Sequence, residues 1–518
     1  MEHAKEGSVT ALVGALWGDE GKGKAIDHLC ASGQYTCVAR CAGGPNSAHT
    51  VVVPAASGDG TTKKCVLRMV PSGILYGDRV CVIGPGVVVD PLWLAHELTM
   101  LERDHGVDWR ERVRVSDRAH VLLLLHRTLD AHHERAAAAS GTAVGTTRRG
   151  VGPCYADKAA RRGVRVADLA HRGRFVRRVR ALLNYHARAH PSAVAEAIGA
   201  DAAGDLGPEV LDAAAEAYAV RYVDEIYAPL LAGIVCDTVG LLNGVLAAGG
   251  RVLVECSQST MLDIDHGTYP HVTSSSATAG GAATGLGVPP GLVSAIGVVK
   301  AYTTRVVTCP EARAVCPFPT RLPDLRDVPA THAPIQLMGK DPLEAAHIED
   351  IGGGAHIDNI KGHWDRWDIA AGRHIPAVGH EIDNGGHPRA CGWLDAVVVR
   401  RAHMVNGFTA LVLNKLDTLS GLERVKIAVA YALRSKEGDT MREDVVTHDV
   451  PEDFGDVERP VYDVLDGWTE DISGCRTFGD LPEAAQAFVR AVERAVGCSV
   501  GWVGVGPARF QMIDVPQT

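Results

Sequence analysis

The stretch Gly14-Ala-Leu-Trp-Gly-Asp-Glu-Gly-Lys-Gly-Lys24 decides how this chain is read. Before it, Val9 to Val13 is a short apolar run that reads as a buried strand; after it, Ala25-Ile-Asp-His-Leu29 reads as the first turns of a helix. Strand, glycine-rich turn and helix together make a phosphate cradle, because bare backbone N–H groups and a helix N-terminus both attract anions. Gly18 to Lys24 fits the first seven positions of a P-loop, but the eighth, normally a Mg²⁺-binding Ser or Thr, is Ala25. An ordinary P-loop NTPase is therefore not expected. Asp19 sits in the same turn, where a carboxylate would repel phosphate unless a metal or a proton transfer required it.

The rest of the chain fits a large α/β protein. Its 518 residues are 46% hydrophobic and 22% charged, an ordinary globular balance. The net charge of −10 argues against a general nucleic-acid or membrane-surface role. The opening residues are polar, no run of apolar residues is long enough to span a membrane, and the 13 cysteines form no C-x-x-C pair. Buried free thiols in a reducing cytoplasm are the expectation, although Cys37 and Cys41 have the spacing to face each other on a helix.

Outward from the loop, further strand–turn passages follow. Gly43-Gly-Pro-Asn-Ser-Ala-His-Thr50 precedes the strand Val51 to Val53, and Val80 to Ile83 is another strand. Ala119 to Ala139 has a helical pattern, and two or three amphipathic helices are expected between residues 174 and 250. The passage Gly145 to Gly163 is dense in glycine, hydroxyl and cationic residues, as a loop gripping a phosphorylated substrate would be. Arg251 to Thr260 is a strand ending in polar residues, so the loop after it forms a second candidate substrate wall. Ala295 to Val299 adds a strand, and residues 309 to 380 read as an irregular insertion within a single domain spanning 8–518. Histidines 347, 356, 363 and 374 in that insertion match no standard metal-ligand spacing.

Phe408 to Asp417 is a strand ending in Asn414-Lys-Leu-Asp417. A carboxylate there can accept two N–H bonds from guanine, which adenine cannot offer. An amphipathic helix at Leu481 to Val496, a strand at Val500 to Val503 and a glycine loop close the chain.

Taken together, these motifs resemble the adenylosuccinate synthetase family. The similarity runs from about Thr10 to Arg509. It is carried by Trp17 to Lys24, Gly145-Thr-Thr147, Gly150-Val-Gly-Pro153, Asp157-Lys158, Ala160-Arg-Arg-Gly163, Leu262 to Pro270, Lys300 to Arg305, Pro317 to Thr320 and Asn414 to Asp417. The resemblance implies a large, mostly parallel central sheet with flanking helices in a P-loop-like GTP-binding ligase fold. It implies GTP-dependent joining of L-aspartate to C6 of IMP through a 6-phosphoryl intermediate, in the AMP branch of purine biosynthesis. By the same resemblance Asp19 is the general base, His49 donates to the phosphate bridge, and Lys22 and Gln258 complete the catalytic set. Mg²⁺ is expected on Asp19 and the carbonyl of Ala48. GTP is expected on Gly18, Glu20, Gly21, Gly23, Lys24, His49, Thr50, Asn414, Lys415, Asp417, Gly504 and Gly506. IMP is expected on Asn46, Thr147, Gln258 and Thr273, with Arg161 reaching the IMP phosphate of a second subunit in a homodimer.

The departures concentrate where the amino donor binds. The family's threonine- and arginine-rich loop reads Asp383-Asn-Gly-Gly-His-Pro-Arg-Ala-Cys391 here, which leaves His387 and Arg389, with Arg149, as the donor-binding candidates. A dicarboxylate is best held by bidentate arginines, for which histidine is a poor replacement. Arg148 stands where glycine is expected, and Cys256, Ser257 and Ser259 surround Gln258. A relative with another amine donor or a modified nucleotide is one alternative. A GTP-binding switch, suggested by Asn414 to Asp417 and Asp383-x-x-Gly386, is another, and a non-catalytic homologue a third.

Overall fold

The computed structural model describes residues 7–54, 62–142, 145–200, 206–306, 366–368, 373–375, 381–382, 388–433, 446–452 and 454–517. Contacts divide the chain into two compact units. The first comprises residues 1–14, 22–297 and 405–408, the second 15–21, 298–404 and 409–518.

In the first unit the strands Ser8–Gly14, Arg251–Ser259, Cys37–Arg40, Val80–Ile83, Val113–Ser116 and Val235–Cys236 lie side by side, each parallel to the next. Their valine-rich runs are buried on both faces, as a parallel sheet covered by helices requires. The strands at Ser8–Gly14 and Val80–Ile83 fall where the apolar runs predict them. Cys37 lies on a strand rather than a helix, and Cys37 and Cys41 are free buried thiols. The helix expected from Ala119 begins only at Leu124, because His120–Val121 pairs as a short strand with Val88–Val89. The stretch between 174 and 250 holds more helix than expected: Arg172–Ala189, Pro191–Ile198, Pro208–Ala219 with a π-helical continuation to Leu231, and Thr238–Ala247.

Helix Pro91–His105 shows how local chemistry fixes an element. Asp90 caps it by accepting from the N–H groups of Leu92 and Trp93, Pro91 starts it, and Gly106 at φ +63° ends it. Leu94, Leu98 and Leu101 enter the core with Phe175 and Tyr222, while Trp93 and Glu97 lie one turn apart on the same helix.

In the second unit, Phe408–Asn414 runs parallel to Val500–Gly504, which pairs antiparallel with Met512–Asp514. A mixed sheet pairs Tyr302–Val306 with Pro388–Asp395, Pro388–Asp395 with Arg424–Leu433, and Arg424–Leu433 with Val457–Asp466. The chain is thus α/β with mostly parallel strands in the larger sheet, as expected. Apart from Arg366–Asp368 and its partner Arg373–Ile375, the irregular segment at 309–380 lies outside the described residues.

Candidate functional site

The second unit contains the glycine-rich loop. Glu20 is fully buried, and its carboxylate accepts from Leu16 N at 3.2 Å and Gly18 N at 2.9 Å, so this side chain shapes the turn from inside. Asp19, the other carboxylate of the loop, is exposed and held at φ +60°. Asn414 Nδ2 donates to Glu20 O at 2.8 Å and to Gly21 O at 3.2 Å, which brings the strand-end motif to the phosphate loop. Gly21 cannot be replaced freely: at φ +83° a Cβ would stand 2.9 Å from that same Asn414 nitrogen. Beyond Asn414, Lys415 adopts φ +61° and Asp417 lies in the 3₁₀ turn Leu416–Leu419. Gly504 ends the neighbouring parallel strand, so the expected guanine residues gather at adjacent strand ends. Lys300 and Lys415 both approach the ring of Tyr302, at 4.9 and 5.8 Å from its centroid. Asp395 is buried under the Tyr431 hydroxyl, which donates to it at 2.7 Å; burial pushes its carboxyl up to about 6.

The first unit carries the other expected residues. Lys22 opens helix Lys22–Ala31 with Gly23 and Lys24, and its ammonium donates to Ser259 Oγ at 3.1 Å. His49 begins strand His49–Pro54, which continues through Thr50, and its Nδ1 bonds the fully buried carboxylate of Glu255. That carboxylate also accepts from Arg40 at 2.9 Å, from Ser72 N at 2.7 Å and from Ser72 Oγ at 2.9 Å. Burial alone would raise the Glu255 carboxyl, but Arg40, His49 and the Ser72 N–H outweigh it and hold the group far below the usual carboxylate range. Burial lowers the His49 imidazole, Arg40 and Lys22 add to this, and Glu255 opposes it. With Nδ1 committed to Glu255, Nε2 is the nitrogen left for a ligand.

Asn46 Oδ1 accepts from Gly44 N at 3.2 Å, and Tyr155 OH bridges Gly43 N and Gly86 O, so the turn containing Asn46 and Ala48 is tied to helix Val151–Ala159. Gln258 is half-buried on strand Arg251–Ser259, within the same strand-end cluster as Gly43, while Thr273 lies on the loop beyond that strand. The basic loop is anchored by helix Leu124–Ala139: Glu134 accepts from Gly145 N at 2.6 Å and Asp130 from Gly150 N at 2.8 Å. Thr147 and Arg161 are exposed. Of the donor-binding candidates, His387 lies outside the described residues, and Arg389 is described only as part of strand Pro388–Asp395. Arg149 is half-buried, with its guanidinium 5.1 Å from the Trp93 ring centroid.

Two features escaped the sequence reading. The residues clamping His49, namely Arg40, Ser72 and Glu255, were not singled out, though a glutamate inside Val252-Leu-Val-Glu255 and an arginine ending Cys37-Val-Ala-Arg40 are signals. The second is backbone strain. Among the described residues the non-glycine positions with positive φ are Asp19, Arg148, Arg161 and Lys415, all four on the motif loops. Arg148, standing in for glycine, keeps the glycine conformation at φ +53°.

No group of three or more His, Cys, Asp or Glu among the described residues is arranged to hold a metal. No helix among them is long and apolar enough to cross a membrane.

The family profile described as adenylosuccinate synthetase matches residues 11–513. An adenylosuccinate synthetase of Nocardioides sp. is 42% identical over 514 residues, covering 98% of this chain and 98% of that protein. A chloroplastic adenylosuccinate synthetase of Capsicum frutescens is 38% identical over 509 residues, covering 98% and 83%. Among solved structures, fully ligated adenylosuccinate synthetase from Plasmodium falciparum superposes with a TM-score of 0.73 at 30% identity, over 98% of this chain and all of that one. A succinoaminodeoxyadenylate synthetase of cyanophage S-2L, at 19% identity and TM-score 0.52 over 98% and 96% of the chains, shares the fold.

Proposed function

The chain belongs to the adenylosuccinate synthetase family, and from that premise we propose how its own residues carry the family's reaction. It is a GTP-dependent carbon–nitrogen ligase that joins L-aspartate to IMP, giving adenylosuccinate, GDP and phosphate. The observation that carries the reading is the hydrogen bond from Asn414 to the glycine-rich loop, which joins guanine selection to phosphate binding in one unit.

Asp19 takes the N1 proton of IMP, and the oxygen on C6 then attacks the γ-phosphorus of GTP with GDP leaving. In the GTP complex the phosphate charge favours the His49 imidazolium, which donates from Nδ1 to Glu255 and from Nε2 to the phosphate bridge as charge develops on GDP. Lys22 steadies the phosphates. The aspartate amine adds at C6 and expels phosphate. Asn46, Thr147, Gln258 and Thr273 hold IMP, and Arg149 and Arg389 are the arginines assigned to the donor carboxylates. Lys415 and Asp417, with the backbone of Gly504 and Gly506, hold guanine.

The family works with a metal ion. Mg²⁺ suits the donors offered, because Asp19 and the Ala48 carbonyl are hard oxygens. Mg²⁺ bound through one or two protein oxygens completes its shell with water and substrate phosphates. Bound there, it would neutralise phosphate charge and make Asp19 tolerable beside it.

Arg161, exposed at φ +63° after helix Val151–Ala159, supports a homodimer in which it reaches the partner's IMP. The free cysteines among the described residues support a cytoplasmic location. The test is phosphate release from GTP with IMP and Mg²⁺, with and without aspartate, following adenylosuccinate by mass. Aspartate-dependent product supports the reading. Product only with another amine would assign a different donor, and no turnover with any amine would overturn it.

A further inference from the structure

Two arginines converge on one indole in the first unit. The guanidinium carbon of Arg68 lies 5.6 Å from the Trp93 ring centroid, and that of Arg149 lies 5.1 Å from it. Arg68 is only 7% exposed. A buried guanidinium ordinarily has a carboxylate opposite it, because the desolvated charge is otherwise costly.

Here the nearby carboxylates are already committed. Glu97 accepts from the backbone N–H groups of Arg68, Met69 and Val70, and from Trp93 Nε1 at 3.2 Å. Asp90 caps its helix and pairs with Arg127. Among the described residues no carboxylate forms an ion pair with Arg68 or Arg149. Among the described residues the Arg68 side chain makes one long bond, from Nη1 to Pro45 O at 3.4 Å, one residue before Asn46. Burial and the neighbouring charge of Arg149 lower the Arg68 guanidinium to about 10, with Glu97 opposing. The two guanidiniums gather positive charge against a planar aromatic wall.

We infer that Arg68 binds a carboxylate of the amino donor, sharing it with Arg149 across the face of Trp93. The inference rests on the proposed reading in which aspartate is the donor, and it adds Arg68 to the binding set. A guanidinium fork matches a carboxylate, and stacking on an indole fixes the plane of the fork. The chemistry of the substrates favours the donor over the nucleotide phosphate. The IMP phosphate already has hydroxyl, amide and arginine candidates, whereas the donor loop has lost an arginine to His387 and a dianion still needs two cations.

The test is steady-state kinetics of Arg68→Met and Arg68→Lys, varying GTP, IMP and aspartate separately. Titration of succinate, a dicarboxylate without the amine, into wild type and both variants gives a readout independent of turnover. The expected result is an aspartate KM raised about tenfold or more in Arg68→Met, with GTP and IMP KM within about twofold. Partial recovery is expected in Arg68→Lys, with succinate affinity falling in parallel. A raised IMP KM with unchanged aspartate KM would give the cation to the phosphate and overturn the inference. So would unchanged KM values for all three substrates with unchanged succinate affinity. If Arg68→Met does not fold, Arg68→Lys decides by the same KM split. If wild type makes no adenylosuccinate from aspartate, the functional reading fails, and loss of succinate binding in the variants still supports the carboxylate clasp.

Discussion

Asn414 Nδ2 donates to the carbonyl oxygen of Glu20 at 2.8 Å, across 394 residues of sequence. The bond ties the strand-end motif proposed to select guanine to the glycine-rich turn proposed to cradle phosphate, so a change at either end is expected to be felt at the other. Asn414→Ala removes this bond and the one to Gly21, each contributing about 0.5–1.5 kcal/mol. The GTP KM is expected to rise about fivefold to a hundredfold, with aspartate KM unchanged in initial-rate measurements. Gly21→Ala, whose Cβ would meet the same nitrogen, should act in the same direction, whereas Gly33→Ala meets nothing within 4 Å. Equal effects of the two glycine variants on GTP would contradict the coupling.

In the proposed reaction Asp417 offers a carboxylate to the two N–H groups on the edge of guanine. In Asp417→Asn the amide presents a donor where an acceptor is needed, and charge-assisted bonds contribute about 1.5–3 kcal/mol each. GTP should become a poor substrate, and XTP, whose 2-oxo group accepts a bond, should be used better than by wild type. Competition assays with the two nucleotides read this directly. A variant that still prefers GTP would remove Asp417 from the guanine site.

The buried Glu255 makes stability depend on pH. Its folded carboxyl lies far below the roughly 4.3 of an unfolded glutamate, so it stabilises the protein above that value. The contribution is lost as pH falls below the unfolded value toward the folded one. Glu255→Gln leaves Arg40 buried without its counter-charge and should cost about 3–5 kcal/mol at neutral pH. Melting followed by circular dichroism should show a lower Tm in the variant and a shallower loss below about pH 4.3. An unchanged acid slope would mean that other carboxyls set it.

Arg148 holds φ +53° with an exposed side chain. A non-glycine residue in that region carries backbone strain, and glycine removes it at some cost in unfolded-chain entropy. Arg148→Gly should therefore stabilise by about 0.5–1 kcal/mol, seen as a higher urea midpoint with an unchanged slope. A lower midpoint would show that the arginine side chain contributes more than the strain costs.

Much of this architecture is legible in the residues themselves. The apolar runs at Val9 to Val13, Val80 to Ile83 and Phe408 to Asn414 are strands because near-continuous apolar stretches suit a parallel sheet covered on both faces. What the sequence hides is mostly non-local. The glutamate at 255 reads as one charge in an apolar strand, and only the parallel pairing of Cys37–Arg40 with that strand brings Arg40 to it. The helical pattern from Ala119 is overridden at His120–Val121 by pairing with Val88–Val89, a tertiary contact that periodicity cannot register. Nothing in Val66-Leu-Arg68 marks the arginine as buried; its place beside Trp93 depends on how helix Pro91–His105 packs.

In the proposed reaction Asp19 deprotonates IMP so that its C6 oxygen attacks GTP. IMP labelled with ¹⁸O at C6, incubated with GTP, Mg²⁺ and aspartate, tests it through the mass of the released phosphate. One ¹⁸O is expected in each phosphate formed with adenylosuccinate, and in Asp19→Asn a rate reduced by about 10²–10⁴-fold. Adenylosuccinate formed with unlabelled phosphate would contradict it, because the oxygen would then have left C6 by another route.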